Sequence, residues 1–188
     1  MNKLIDYVLV VKNAVSENTC ERTVADLATI KWQHNHFRNY DQQKSVNPGE
    51  EELYTNVEDQ LVVTDSILLK NVYESLVQYM TKFKSPGFDG WHGFSPIKFN
   101  QYQPTAIMTE HCDHIHGLFD GERKGIPILS VVGLLNDKFT GGNFVMFKDT
   151  HIKLTAGDIL IFPSVFMYTP RVDPILTGTR NSFVSWVW

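Results

Sequence analysis

The stretch that decides the fold opens as IKFNQYQPTAIMTEHC (97–112) and continues to residue 188. Beyond it, short apolar runs alternate with turn signals: PILSVVGLLN (127–136), NFVMF (143–147), DILIFP (158–163), FMY (166–168) and NSFVSWVW (181–188). Gly141-Gly142, Gly157-Asp158 and Thr177-Gly178 punctuate them. Many short strands at regular spacing predict a sandwich, barrel or jelly roll. Upstream the pattern is mixed. Residues 5–12 (IDYVLVVK) are aliphatic and β-branched enough for a strand. Asn18 followed three residues later by Glu21 resembles a capping box, and Cys20, Val24, Leu27 and Ala28 then recur at helical spacing. Residues 33–52 are polar and carry Asn47-Pro48-Gly49, which predicts a surface loop. A second helix is expected over 65–83, with Leu68, Val72, Leu76, Met80 and Phe83 on one face and Ser85-Pro86-Gly87 ending it. The expected architecture is mainly β with supporting helices, a jelly roll. It is a single domain over 1–188, in which 1–96 supplies an N-terminal strand and helical support and 97–188 the jelly-roll core.

Composition narrows the function classes. A chain of 188 residues, 43% apolar and 12% aromatic, can bury a sizeable core. The net charge of -4 with no basic stripe disfavours nucleic acid as a partner. No apolar run is long enough to span a bilayer, so no membrane partner is expected. The N-terminus MNKLIDYVLVVKNAV carries Asp6 and lacks a small-residue cleavage site, so it is read as a first strand and not a signal peptide. Cys20 and Cys112 are far apart and imply no disulfide framework, which fits a cytoplasmic location.

Two segments carry chemistry. In TEHCDHIH (109–116), His111 and Asp113 stand two apart. On a strand such residues share a face, so imidazole and carboxylate can converge on one metal while Cys112 points away. That donor pair suits a ferrous ion that keeps positions open. The competing reading is a hydrogen-bonded pair at a strand end. His114 and His116 share the other parity and fit a substrate-facing or outer role; Cys112 is most simply a small packed residue. In TGTRNS (177–182), Arg180 and Ser182 share a face of the last strand with Val184 and Trp186. A buried guanidinium there needs a carboxylate, ideally held through two hydrogen bonds. A strand-end arginine paired with Asp173, or solvated, is the alternative.

In order along the chain, Tyr102, His111-Cys112-Asp113, Leu135-Asn136, Gly141-Gly142, Gly157-Asp158, Phe162-Pro163-Ser164 and Gly178-Thr179-Arg180 resemble the prolyl-4-hydroxylase-like branch of the iron- and 2-oxoglutarate-dependent dioxygenases. The phage-encoded members look closest, which would place the protein in a host cytoplasm. The resemblance covers roughly 97–188. It implies a double-stranded β-helix, with Fe(II) bound through His111 and Asp113. It implies 2-oxoglutarate held by Arg180, Ser182 and Tyr102. His114, Asn136, Arg171 and Trp186 would lie near the mouth of the roll. The implied reaction uses dioxygen to convert 2-oxoglutarate to succinate and carbon dioxide while a carbon is hydroxylated, a prolyl or related residue of a peptide or protein being the expected substrate class.

One position departs from the pattern. The family's distal histidine would fall in FMYTPRV (166–172), where Pro170 stands and offers no donor. No histidine follows His151. Weakened iron binding, a substitute ligand such as His151, Tyr168 or Asp173, or a catalytically inactive binding module for a dicarboxylate or protein partner are the readings left open.

Overall fold

The computed structural model describes residues 3–35, 37–39, 44–46, 54–56, 62–84, 91, 93–113 and 126–188. A 3-10 turn, Leu4–Tyr7, leads into β1 (Leu9–Val11), then α1 (Glu17–Leu27). Next come β2 (Gln33–His34), β3 (Phe37–Asn39), β4 (Lys44–Val46), β5 (Tyr54–Asn56) and α2 (Val62–Phe83). The second half is β6 (Lys98–Tyr102), β7 (Leu129–Leu134), β8 (Phe139–Gly141), β9 (Phe144–Met146), β10 (Thr150–Ile152), β11 (Ile159–Pro163), β12 (Arg171–Val172), β13 (Ile175–Gly178) and β14 (Arg180–Val187). Among the described residues no helix is long and apolar enough to cross a membrane.

A seven-stranded antiparallel sheet in the order β1-β11-β7-β14-β6-β5-β2 forms the large wall. β10-β9-β12 and β13-β8 form the smaller one. Strand alternation sorts the large wall into two faces. Leu129, Val131, Ile159, Ile161, Phe99, Phe183 and Val187 face the helices and join Leu68, Val72, Leu76 and Tyr79 of α2 in one core. Val132, Leu160, Phe162 and Tyr102 face the smaller sheets and build a second core with Phe144, Met146, Val172 and Ile175. The expected jelly roll with helical support is therefore present, and the inner face of the large wall is where a site can lie.

Local differences have local causes. Only Leu9–Val11 of the expected first strand is extended, because β1 pairs solely along Leu9↔Ile161 to Val11↔Ile159. α1 is capped by Ser16, whose hydroxyl accepts the Thr19 N–H, and not by Asn18. α2 begins three residues before the expected start and keeps the expected apolar face, with Tyr79 added. The polar segment 33–52 contains β2, β3 and β4 where a loop was expected. β2 joins the large sheet through β5, and a two-residue edge strand carries little hydrophobic pattern of its own. Ser85-Pro86-Gly87 and Asn47-Pro48-Gly49 lie outside the described residues.

Candidate active site

His111 and Asp113 lie just past β6, in a segment tied to β12 instead of within a strand of their own. Met108 bridges Val172, and the His111 N–H donates to the Pro170 carbonyl at 3.2 Å. The two side chains still converge: His111 Nε2 is 3.2 Å from Asp113 Oδ1. His111 Nδ1 contacts the Thr109 carbonyl at 2.9 Å. A carbonyl only accepts, so Nδ1 carries the proton, and the Nε2 lone pair is left facing the carboxylate. Two lone pairs aimed at one point require a cation between them, a proton or a metal ion.

The other carboxylate oxygen is fixed from below. Ser130 Oγ donates to Asp113 Oδ2 at 2.6 Å and also bonds Ser164 Oγ at 2.7 Å. Trp186, opposite Ser130 in the β14–β7 register, supplies a further hydrogen bond to the carboxylate. Burial by itself would raise the Asp113 pKa. The hydrogen bond and charge of His111, then Ser130 and Trp186, outweigh it and hold the carboxyl below its ordinary value. Cys112 turns away, its thiol 3.5 Å from the Ser164 carbonyl.

Deeper along the same face lies Arg180, 1% exposed. Its NH1 donates to Ser182 Oγ at 3.0 Å, and its guanidinium stands 4.9 Å from the centroid of the Tyr102 ring. Tyr102 is its cross-strand neighbour in the β14–β6 register and also a hydrogen-bond partner. Burial lowers the Arg180 pKa, with Tyr102 opposing the shift, yet a guanidinium stays charged at any working pH. Among the described residues no carboxylate pairs with it. A dry cation of this kind costs several kcal/mol unless an anion arrives, roughly as for any buried charge left without a partner. A carboxylate is a group that could satisfy it. Gly142 makes room for the arginine stem: its φ is +61°, and a Cβ there would lie 3.3 Å from Arg180 Cδ and 2.4 Å from Ile175 Cδ1.

The other expected site residues separate into groups. Trp186 is on the inner face beside Asp113. Asn136 is committed to backbone, donating to Thr179 O at 2.7 Å and accepting from Asn181 N at 2.8 Å, so it fixes the strand that carries Arg180. Arg171 corrects the expectation of a mouth residue. Val172 points into the roll, so Arg171 points out, where it bonds Asp173 Oδ1 at 3.1 Å and the Lys148 carbonyl. His114 and His116 lie outside the described residues. Pro170 is buried and its carbonyl meets the His111 N–H. Ser130, Lys98 and Asn100 carry no motif, and Ser164 stands in one without an expected role; for Lys98 and Asn100, parity with Tyr102 in KFNQY is the available signal.

The donor set fits the two implied groups unequally. Arg180, Ser182 and Tyr102 fit the carboxylate of a dicarboxylate. His111 and Asp113 offer two convergent donors for a metal ion, but among the described residues no third His, Cys, Asp or Glu joins them.

Residues 97–188 match the sequence profile of the family described as the 2OG-Fe(II) oxygenase superfamily. A PKHD-type hydroxylase of Crocosphaera subtropica is 30% identical over 96 residues, which is 48% of this chain and 41% of that protein. The chain thus spans under half the length of such curated relatives. Among solved structures, a viral collagen prolyl hydroxylase from Paramecium Bursaria Chlorella virus-1, in complex with 2OG, superposes with a TM-score of 0.65 at 15% identity, covering 96% of this chain and 94% of that one. A prolyl hydroxylase from Trichoplax adhaerens, in complex with a hypoxia inducible factor peptide fragment, gives a TM-score of 0.71 at 15% identity, covering 96% and 83%. These structural likenesses establish the shared fold. Through its residues 97–188, just under half of the chain, this protein is similar to the 2OG-Fe(II) oxygenase superfamily, whose name gives ferrous iron and 2-oxoglutarate as the family's cofactors.

Proposed function

We propose that this protein is a hydroxylase that uses Fe(II) and 2-oxoglutarate, with dioxygen as co-reactant and a peptidyl group, prolyl or related, as substrate. The observation that carries the reading is Arg180: a buried guanidinium flanked by Ser182 and Tyr102 with no carboxylate paired to it among the described residues. Arg180, Ser182 and Tyr102 would take the remote carboxylate of 2-oxoglutarate. His111 and Asp113 would hold the iron, with Ser130 and Trp186 orienting the carboxylate. Bound iron and 2-oxoglutarate together supply the oxidising power for hydroxylation. The chain's part is to place both, keep water out and present the substrate. The peptide seen with the Trichoplax adhaerens neighbour supports a polypeptide substrate. The viral neighbour is in keeping with a phage-type origin, and two cysteines that form no disulfide with a reducing, cytoplasmic setting. We read 1–188 as one dioxygenase-like domain.

A second reading has its own observation. Pro170 sits against His111 where a third ligand would be needed, which favours a catalytically inactive roll that binds a dicarboxylate or a protein. The two readings part under anaerobic titration with ferrous iron and 2-oxoglutarate, followed by oxygen and succinate detection, for the unaltered chain, Arg180→Met and Pro170→His. Iron-dependent succinate from the unaltered chain, abolished in Arg180→Met, supports the enzyme. Succinate from Pro170→His alone supports the inactive module. Unchanged 2-oxoglutarate affinity in Arg180→Met overturns the shared premise.

A further inference from the structure

The inner face of β6 carries three polar side chains in a row, Lys98, Asn100 and Tyr102, since alternate residues share a face. Tyr102 belongs to the Arg180 group. The other two have no role in it. Lys98 is mostly buried, and its Nζ donates to Asn35 Oδ1 at 3.0 Å; Asn35 is itself 2% exposed. That partner is a neutral amide. Among the described residues Lys98 makes no ion pair. Burial lowers the Lys98 pKa, and Asp113, beyond ion-pair distance, opposes that shift only in part. Asn100 is 2% exposed and lies opposite Ser182 in the β14–β6 register. Its Oδ1 is buried with no hydrogen-bond partner among the described residues. A buried amide end left unmade costs about 1–3 kcal/mol, and an amide can turn to offer either its N–H₂ or its oxygen.

Among the described residues the charges on this face do not balance. Arg180 and Lys98 are two cations, and Asp113 is one carboxylate already engaged by His111, Ser130 and Trp186. One dry carboxylate from a ligand satisfies Arg180 and leaves Lys98 still without a contact anion. We propose that Lys98 and Asn100 form a second carboxylate subsite on the inner face, separate from the Arg180 subsite. The ammonium supplies the charge and Asn100 a hydrogen bond that nothing among the described residues takes up. The inference rests on the 2-oxoglutarate reading above only for the role of its neighbour Arg180. The carboxylate has two possible sources: the end of 2-oxoglutarate remote from Arg180, or an acidic group of the primary substrate.

Calorimetry in metal-free buffer with EDTA tests this without turnover. The unaltered protein, Lys98→Met, Lys98→Arg and Arg180→Met are each titrated with 2-oxoglutarate and with 2-oxopentanoate, which keeps the keto-acid end and lacks the second carboxylate. N-acetylglycine, a small peptide-like carboxylate, is then added to protein saturated with 2-oxoglutarate. A subsite for the cosubstrate predicts an at least ~10-fold weaker 2-oxoglutarate affinity in Lys98→Met, the scale of one charged hydrogen bond. 2-Oxopentanoate binding would then depend on Lys98 and not on Arg180. A subsite for the primary substrate predicts unchanged 2-oxoglutarate affinity in Lys98→Met, with N-acetylglycine binding lost there. Lys98→Arg restores whichever effect is seen, which separates charge from folding. If Lys98→Met alters neither ligand while Arg180→Met weakens 2-oxoglutarate, the second subsite is overturned and the cosubstrate reading stands. If Lys98→Met acts and Arg180→Met does not, the subsite stands and the cosubstrate reading falls.

Discussion

At the scale of single residues, the site depends on side chains whose polar atoms are spoken for in advance. Arg180→Met removes a buried charge that a ligand needs, so 2-oxoglutarate affinity should fall by about 2–5 kcal/mol, roughly 30-fold or more; calorimetry reads it directly. Asp158 is the structural counterpart. Fully buried, it accepts from Lys12 Nζ at 2.7 Å, from Asn13 N at 3.1 Å, and from Thr155 N and Oγ1 at 2.7 and 2.9 Å. Burial would raise its pKa, but the Lys12, Thr155 and Asn13 bonds hold it below the usual carboxylate range. A carboxyl depressed in the folded state stabilises above its unfolded pKa of about 3.9, and that stability disappears as pH falls through the folded value. Asp158→Asn should therefore lower the thermal midpoint most near neutral pH, and the gap from the unaltered chain should shrink as pH falls below the ordinary carboxylate range. His-x-Asp and the lone arginine were legible as residue types at a spacing. That Ser130 and Trp186 would brace Asp113 was not, because those contacts join positions 17 and 73 residues away from it in the chain.

At the scale of elements, the Gly-Gly turn between β8 and β9 and the first residues of β14 work together. Gly141 and Gly142 have φ of +77° and +61°, values that side chains resist. A Cβ on Gly142 would press on Ile175 and on the Arg180 stem. Gly142→Ala should therefore lower stability by about 1–3 kcal/mol and weaken 2-oxoglutarate binding as well, which denaturant melts and calorimetry together detect. Gly133→Ala, in the centre of β7, is the contrast. Its added methyl would meet the Phe183 ring at 2.1 Å on the helix-facing side, so it should lower stability by a similar ~1–3 kcal/mol while leaving affinity per folded molecule nearly intact. The strand runs of the second half were legible because both faces of the large wall are covered, so apolar content marks them. β2, β3 and β4 were not: β2 is two polar residues paired with the more distant β5, and β3 and β4 are three-residue, mostly polar runs that pair only with each other.

At the scale of the whole molecule, α2 and the large sheet form one core while the two smaller sheets close the other, and the site lies on the inner face of the wall they share. Leu76→Ala, in the helix-side core, should cost about 2–5 kcal/mol without touching the site. Pro170→His places an imidazole where the chain already meets His111, and cobalt or ferrous affinity should rise by ~10-fold or more, read by metal titration. The sequence by itself determined the jelly-roll pattern, the family motif order, the long amphipathic helix and the missing histidine, because each is written in local periodicity or in residue identity. Only the tertiary structure decided that Arg180 is buried with no carboxylate paired to it among the described residues, that Arg171 faces outward, and that Lys98 and Asn100 share the face of Arg180. Burial and charge balance depend on which strands become neighbours, and strand order is fixed by long-range packing that no local stretch of sequence contains.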